Sequence, residues 1–177
     1  MPAKLIGLVS AVVIIAVVSS CSLLSSLGKN DFIIGEGSSR VVRDVNLAKS
    51  MAAGSSRMAI AEQVGARYFQ HREAFIKEYG SSDDRTPVNQ FDSILKEISP
   101  QRGTFNIKIV DIEKVKEVVE GNADNLNARV SSRMHIGSAD KALLERIMKE
   151  NALFAALKKT RLYKKMIKNI ERYEKMK

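Results

Sequence analysis

Residues 126–136 read LNARVSSRMHI, in which apolar or small residues alternate with polar ones. A period of two predicts a β-strand with one face buried and the other in water. The buried face is predicted to carry Leu126, Ala128, Val130, Ser132, Met134 and Ile136. The wet face is predicted to carry Asn127, Arg129, Ser131, Arg133 and His135.

The segments that pair with this strand are predicted from turn chemistry and apolar spacing. Residues 122–125, Asn-Ala-Asp-Asn, favour a turn and hence an antiparallel hairpin with the segment before them. That segment, residues 105–119, is predicted as one strand with a bulge near Ile109 and Val110, although a helix over 110–119 also fits the spacing. A short strand at residues 32–35, followed by a turn at 36–39, gives a sheet of about three strands.

A long helix is predicted to begin at the N-cap Asp44 and to end near Gly80. Small residues recur along it, beside a bulky row at a spacing of four, so it is expected to lie close to the sheet. The small residues are Ala48, Ala52, Ser55 or Ser56, Ala59 and Ala66, and the bulky ones are Ile60, Val64 and Tyr68. Gly54 and Gly65 each cost about 1 kcal/mol in a helix interior, so close packing is expected at both.

Two further helices complete an α+β fold. The first is predicted over residues 88–98, with Val88, Phe91, Ile94, Leu95 and Ile98 on one face. The second is predicted to begin at the N-cap Ser138 and to run unbroken to the C-terminus as an amphipathic helix. Because its apolar stripe is longer than a small sheet can cover, residues 158–177 are expected to be removable without unfolding the domain.

The N-terminal residues predict export. Lys4 precedes an uncharged apolar run over residues 5–18, and the sequence then reads Val18-Ser19-Ser20-Cys21. This is similar to the bacterial lipobox, in which signal peptidase cuts between Ser20 and Cys21 and the thiol carries a diacylglyceryl group. Cys21 is the single cysteine, so the chain has no internal disulfide. Ser22 replaces the Asp that retains many lipoproteins in the inner membrane, so by resemblance the outer membrane is the expected destination.

An uncleaved anchor is the alternative, since residues 5–28 are uncharged and long enough to span a bilayer. Lys29, Arg40 and Arg43 disfavour it, because they would be positive charges on the translocated side. The predicted organisation is a signal peptide at 1–20, a lipidated tether at 21–31, an α+β domain at 32–150 and a basic amphipathic helix at 151–177. In both interpretations the domain lies outside the cytoplasm.

The formal charge of +9 is concentrated at the C-terminus, where residues 158–177 hold nine Lys or Arg and two Glu. This helix is predicted to contact a second copy or another envelope protein, or alternatively anionic lipid or peptidoglycan. The predicted contact residues are Leu157, Lys158, Lys159, Arg161, Tyr163, Lys164, Met166, Ile167, Lys168 and Ile170. The terminal Lys177 could be linked covalently to peptidoglycan. Nucleic acid is not an expected partner of an exported chain.

The sequence predicts no catalytic or metal site and no cofactor other than the lipid on Cys21. His71 and His135 fall on different elements and are both expected at the surface. The pairs Asp83/Asp84 and Asp111/Glu113 are expected to be solvated carboxylates. No serine lies in a Gly-x-Ser-x-Gly motif, and no glycine-rich phosphate loop is present.

The chain resembles the LPP-twenty family of outer-membrane lipoproteins, which includes a flagellar basal-disc lipoprotein. The resemblance lies in the order of its elements: lipobox, short strand, small-residue helix, hairpin and closing helix. The matching segments are residues 18–21, 32–37, 48–66 and 126–136. The resemblance ends near Ile147, so the basic residues after Lys158 lie outside the family pattern. It implies a non-enzymatic structural or assembly element, in some members part of a ring-like envelope structure.

Overall fold

Three strands and five helices make up the described part of the computed structural model, which covers residues 31–80, 83–98, 111–122 and 124–177. In chain order they are β1 (Phe32–Ser38), α1 (Val45–Tyr79), α2 (Thr86–Ile98), β2 (Glu113–Asn122), β3 (Asn125–His135), α3 (Ile136–Ile147), α4 (Asn151–Leu157) and α5 (Arg161–Glu174). The α+β prediction is confirmed. The leader, Ser20 and Cys21 lie outside the described residues.

The sheet is antiparallel and has the order β1-β3-β2, with β3 in the centre. Ala128, Val130, Ser132 and Met134 are buried on one face of β3, as the alternation predicts. The hairpin is also confirmed, because β2 pairs antiparallel with β3 as far as Asn122 and Asn125. In its turn, the side chain of Asn122 accepts hydrogen bonds from the backbone of Asp124 and Asn125 at 3.2 and 3.1 Å. His135 breaks the predicted pattern, since it is buried rather than wet.

The predicted turn at residues 36–39 is wrong, because β1 continues to Ser38. Gly35 and Gly37 face α1, and a Cβ atom at either position would overlap the backbone of that helix. These two glycines therefore serve a close approach of strand and helix rather than a change of direction.

The ambiguous segment is a strand over β2, which confirms the preferred interpretation for residues 113–119. Its register shifts between Lys114 and Lys116, so a bulge lies there. Phe105, Ile109 and Val110 lie outside the described residues.

Helix α1 begins and ends where the sequence predicts. Asp44 caps its first turn by accepting hydrogen bonds from the backbone N–H groups of Asn46 and Leu47, and Gly80 follows its last residue. Its buried row has small residues first and bulky ones later: Ala48, Ala52, Ser56, Ile60, Val64 and Tyr68. Ala66 is exposed and Ala59 only partly buried, so the small-residue row is shorter than predicted.

The prediction of one unbroken C-terminal helix is wrong. The chain turns at residues 148–150 and again at 158–160, giving α3, α4 and α5. Side chains from distant elements cap the new helices. Gln90 accepts a hydrogen bond from the Leu153 backbone at 2.9 Å, and Glu78 accepts one from Arg161 at 2.6 Å. The N-cap of α3 also differs from the prediction, because it is His135 rather than Ser138.

Because α5 packs against α3, residues 31–177 form one compact unit. The residues on both sides of the predicted boundary between residues 150 and 151 belong to this one unit. The core joins α2 to the C-terminal helices, with Phe91, Ile94, Leu95, Leu153 and Leu157 all buried in one cluster. Helix α2 presents the apolar face that the sequence predicts and begins two residues earlier, at Thr86. None of the helices in the described ranges is long and apolar enough to cross a bilayer.

Candidate functional site

The outer side of the C-terminal helices carries a concentration of positive charge, which we call the basic face. It consists of Lys158, Lys159, Arg161, Lys164, Lys165, Lys168 and Lys175, all of them exposed. Within the described ranges none of these seven forms an ion pair with a carboxylate. The neighbouring Arg172 differs, since it pairs with Asp31 at 2.6 Å. The basic face is therefore available to an anionic partner.

The opposite side of α5 is buried in the domain and is not available to a partner. Leu162, Met166 and Tyr173 are buried there, and a Cβ atom on Gly137 of α3 would overlap the backbone of Asn169. The expectation of a free apolar stripe is wrong, because the chain turns α5 back onto its own core.

The ten predicted contact residues therefore divide into three groups. Leu157 and Met166 are fully buried in the core and cannot contact a partner in this fold. Tyr163, Ile167 and Ile170 are partly buried and pack against that core. Lys158, Lys159, Arg161, Lys164 and Lys168 are exposed on the basic face. The cationic part of the predicted contact surface is thus exposed, whereas two of its five apolar residues, Leu157 and Met166, are not.

A buried ionic cluster lies beneath α5 and fixes its position. The carboxylate of Asp140 on α3 is closed to solvent and is contacted from two other helices. Arg67 of α1 donates to Oδ1 and Oδ2 at 2.8 Å each, and Asn169 of α5 donates to Oδ2 at 2.7 Å. Nε2 of His71, also on α1, lies 2.9 Å from Oδ1. The cluster therefore ties α1, α3 and α5 together.

Electrostatics support a structural role for this cluster. Burial opposes ionisation of Asp140, but the hydrogen bonds of His71 and Arg67 outweigh it and hold the pKa of the carboxyl well below its ordinary value. Burial, together with the nearby Asp140 charge, raises the pKa of Tyr68 far above its usual range. Tyr68 donates to the Ala139 carbonyl at 2.7 Å and so remains a neutral donor. Since Asp140 is closed to solvent and bonded on both oxygens, it is not placed to react with a substrate.

Both histidines are buried, which corrects the prediction that they lie at the surface. His71 belongs to the Asp140 cluster, and His135 accepts a hydrogen bond at Nδ1 from the Gly137 backbone at 2.9 Å. The ring of His135 stacks on Tyr173, with 5.5 Å between centroids. No signal in the sequence reveals these roles, because polar residues flank His71 and the alternation of β3 places His135 on the wet face.

The terminal Lys177 is held by two neighbouring groups. Its amine lies 3.3 Å from Oδ2 of Asp111, which also accepts a hydrogen bond from the Tyr173 hydroxyl, and 4.8 Å from the centroid of the Tyr173 ring. Hydrogen bonding with Tyr173 and Asp111 raises the pKa of Lys177. A protonated amine is a poor nucleophile, so a covalent link would require this contact to open.

A groove of about 600 Å³ opens over the sheet, on strands β1, β2 and β3. Its charged lining residues are Glu36, Glu120, Lys116 and Arg129, two of each sign, and Glu120 lies 3.8 Å from Arg129. This balance favours neither an anionic nor a cationic ligand. No group of three or more potential metal-ligating side chains occurs among the residues that the structure describes.

Comparisons with family models, with curated proteins and with solved structures found no match to this chain.

Proposed function

We propose that this chain is a lipid-anchored structural or assembly lipoprotein of the cell envelope, tethered through Cys21 to the outer membrane with its domain facing the periplasm. The observation that carries the proposal is the sequence Val18-Ser19-Ser20-Cys21 directly after an apolar run. The short tether that follows leads to a compact unit beginning at Asp31. An acylated N-terminal cysteine supplies the two or more hydrophobic signals that stable anchoring requires.

The buried polar groups support a non-enzymatic role. Arg67, His71 and Asp140 form a cluster in the described core in which Asp140 contacts both other side chains away from solvent. The basic face is the other polar concentration, and lysines without an adjacent acid or base are typical of binding rather than of chemistry.

Metabolic labelling with a radioactive fatty acid, followed by membrane fractionation, tests the anchoring. The wild-type chain should incorporate label and sediment with the outer membrane, and Cys21→Ser should lose both properties. Ser22→Asp is the matched control, because it should keep the label and move to the inner membrane. An unlabelled wild-type chain, or a Cys21→Ser variant that fractionates unchanged, would contradict the proposal.

A second candidate function is a monomeric periplasmic binding module that holds anionic lipid or peptidoglycan by the basic face. It is favoured by the finding that α5 buries its apolar side in the domain and leaves cations outside. Binding would then be electrostatic, so it should weaken steeply as salt rises.

Vesicles containing phosphatidylglycerol test this second function. Replacing Lys164 and Lys168 by Glu should abolish binding at low salt, whereas Lys96→Glu on α2 should not. Equal binding by both variants, or binding that persists at high salt, would exclude the basic face as the contact.

A further inference from the structure

Strand β2 forms an edge of the sheet, and within the described part of the chain it pairs with β3 alone. Helix α1 covers β1 and β3, and no residue of β2 is buried. The opposite edge is partly closed, because Gln63 of α1 donates a hydrogen bond to the Ile34 carbonyl of β1 at 2.7 Å. An edge strand with free backbone groups is a template for pairing with a further strand.

The backbone groups of Val119 and Glu117 point away from the sheet. On β3, the N–H of Ala128 donates to the Ser39 hydroxyl at 2.9 Å, and its carbonyl accepts from the Ser39 N–H at 2.8 Å. Ala128 therefore directs both groups away from Val119, its opposite residue on β2. Such a pair exchanges no hydrogen bonds, so the N–H and C=O of Val119 face the outer edge. The direction repeats every second residue, so those of Glu117 do the same.

The bulge and the lysines of β2 protect only its first part. Bulges and lysines are the usual means by which an edge strand avoids pairing. The bulge lies between Lys114 and Lys116, whereas residues 116–122 keep a regular register with β3. We call residues 116–122 the open edge. Seven regular residues are enough for a strand of ordinary length.

The side chains of the open edge are self-complementary in one register. Lys116, Val118 and Glu120 alternate along it and share one face of the sheet. A two-fold axis between two Val118 residues would place Lys116 of each copy opposite Glu120 of the other, forming two identical ion pairs. The same register sets Glu117 of each copy opposite Val119 of the other, so all of their outward backbone groups would be bonded.

Neighbouring registers lose this match. Moving the axis by one residue sets Glu117 opposite Glu117, or Val119 opposite Val119, and either shift separates Lys116 from Glu120. The two charges are also available. Lys116 has no carboxylate partner among the described residues, and Glu120 is exposed and reaches Arg129 only at 3.8 Å.

We propose that the open edge is the surface through which two copies of this chain associate, with antiparallel β2 strands joining their sheets into one sheet of six strands. The inference rests on the proposed assembly function and names its partner as a second copy. A two-fold axis keeps Asp31 of both copies at the same height along it, so both tethers can enter one membrane surface. Anchoring in one membrane raises the effective concentration of the copies, so a short contact suffices.

Cysteine crosslinking of the full-length chain in intact cells tests the contact. Opposite residues of a pair that exchanges no backbone hydrogen bonds have Cα atoms about 4.5 Å apart, a distance that a disulfide spans. Oxidation of Val118→Cys should therefore give a covalent dimer.

Val115→Cys is the matched control, and it should give no dimer. Val115 is 54% exposed on the same strand, but in the proposed register its two copies lie about 15–20 Å apart. The unmodified chain is the background control, because Cys21 forms no disulfide once its sulfur is alkylated.

Charge reversal then tests the register. In the Val118→Cys background, Lys116→Glu and Glu120→Lys should each slow disulfide formation about tenfold, because each sets like charges opposite each other twice. The two substitutions together should restore the rate. This rescue requires the two charges to face each other across an interface, so a merely structural role would not produce it.

The two proposals can fail separately. An acylated chain that gives no dimer with Val118→Cys, equal dimer with Val115→Cys, or no rescue overturns the open-edge contact and leaves the anchoring intact. A different strand on this edge, from this chain or from another protein, would leave Val118→Cys monomeric and would overturn the contact in the same way. A specific Val118→Cys dimer from a chain without acyl label supports the contact and overturns the anchoring.

Discussion

Arg67 donates two hydrogen bonds to Asp140, from Nε to Oδ1 and from Nη2 to Oδ2, each 2.8 Å long, across 73 residues of sequence. This bidentate geometry is the strongest arrangement available to an arginine and a carboxylate. It connects α1, which covers the sheet, to α3, which carries α5. The buried pair therefore couples the N-terminal and C-terminal halves of the domain.

Replacing Asp140 by Asn should destabilise the domain by about 3–5 kcal/mol, because Arg67 would keep a buried charge without its counterion. Urea unfolding measured by circular dichroism gives the change. Asp92→Asn is the control, since its ion pair with Arg72 is partly exposed and its loss should cost less than about 1 kcal/mol. An equal loss of unfolding free energy in the two variants would show that burial of the Asp140 pair adds nothing to stability.

His135 should make stability depend on pH near neutrality. Burial lowers its pKa below the ordinary 6.5, although Asp31 opposes the shift. The folded state thus favours the neutral ring, so this contribution is present above pH 6.5 and is lost as the pH falls through the lower folded pKa. His135→Asn, which can still cap α3, should flatten the difference in unfolding free energy between about pH 7.5 and 5.5. An unchanged slope would mean that His135 does not titrate differently on folding.

Replacing the glycines next to α1 by Ala should change the stability of the domain in the opposite direction to replacing those within α1. Gly35→Ala and Gly37→Ala should destabilise the domain, because the added methyl group overlaps the helix backbone. Gly54→Ala and Gly65→Ala should stabilise the monomer by up to about 1 kcal/mol each, because they gain helix propensity in open space. Thermal unfolding of dilute protein measures all four. Stabilisation at Gly37 would refute the packing of β1 against α1.

Removal of α5 should unfold the domain, contrary to the expectation from sequence. Met166 is fully buried and Asn169 contacts Asp140, so α5 belongs to the core. Met166→Ala should cost about 2–5 kcal/mol in unfolding free energy, whereas Lys165→Ala on the exposed side should change it little. A chain that ends at Thr160 and still unfolds cooperatively with unchanged stability would contradict this packing.

Elements whose burial follows a local period could be predicted from the sequence. One buried side of each element could be predicted from the alternation in β3, the spacing of four in α1 and the apolar face of α2. Asp44 and Gly80 mark the ends of α1 by the chemistry of their side chains. These features depend on neighbours in sequence, as does the hairpin that places β2 beside β3.

Features that depend on distant residues could not be predicted. The breaks after α3 and α4 contain neither Gly nor Pro, and the caps that hold α4 and α5 come from Gln90 and Glu78 on other helices. The buried Asp140 cluster joins residues from three helices, so no window of sequence contains it. Thr160 carried the one local signal, since its hydroxyl accepts a hydrogen bond from the backbone of Tyr163 and caps α5.

Mass spectrometry of the N-terminal peptide of the chain purified from membranes tests lipidation of Cys21 without an intermediate step. We expect the peptide to begin at Cys21 and to carry the added mass of a diacylglyceryl group on sulfur. A peptide that begins at Met1 or Pro2, or an unmodified Cys21, would contradict it.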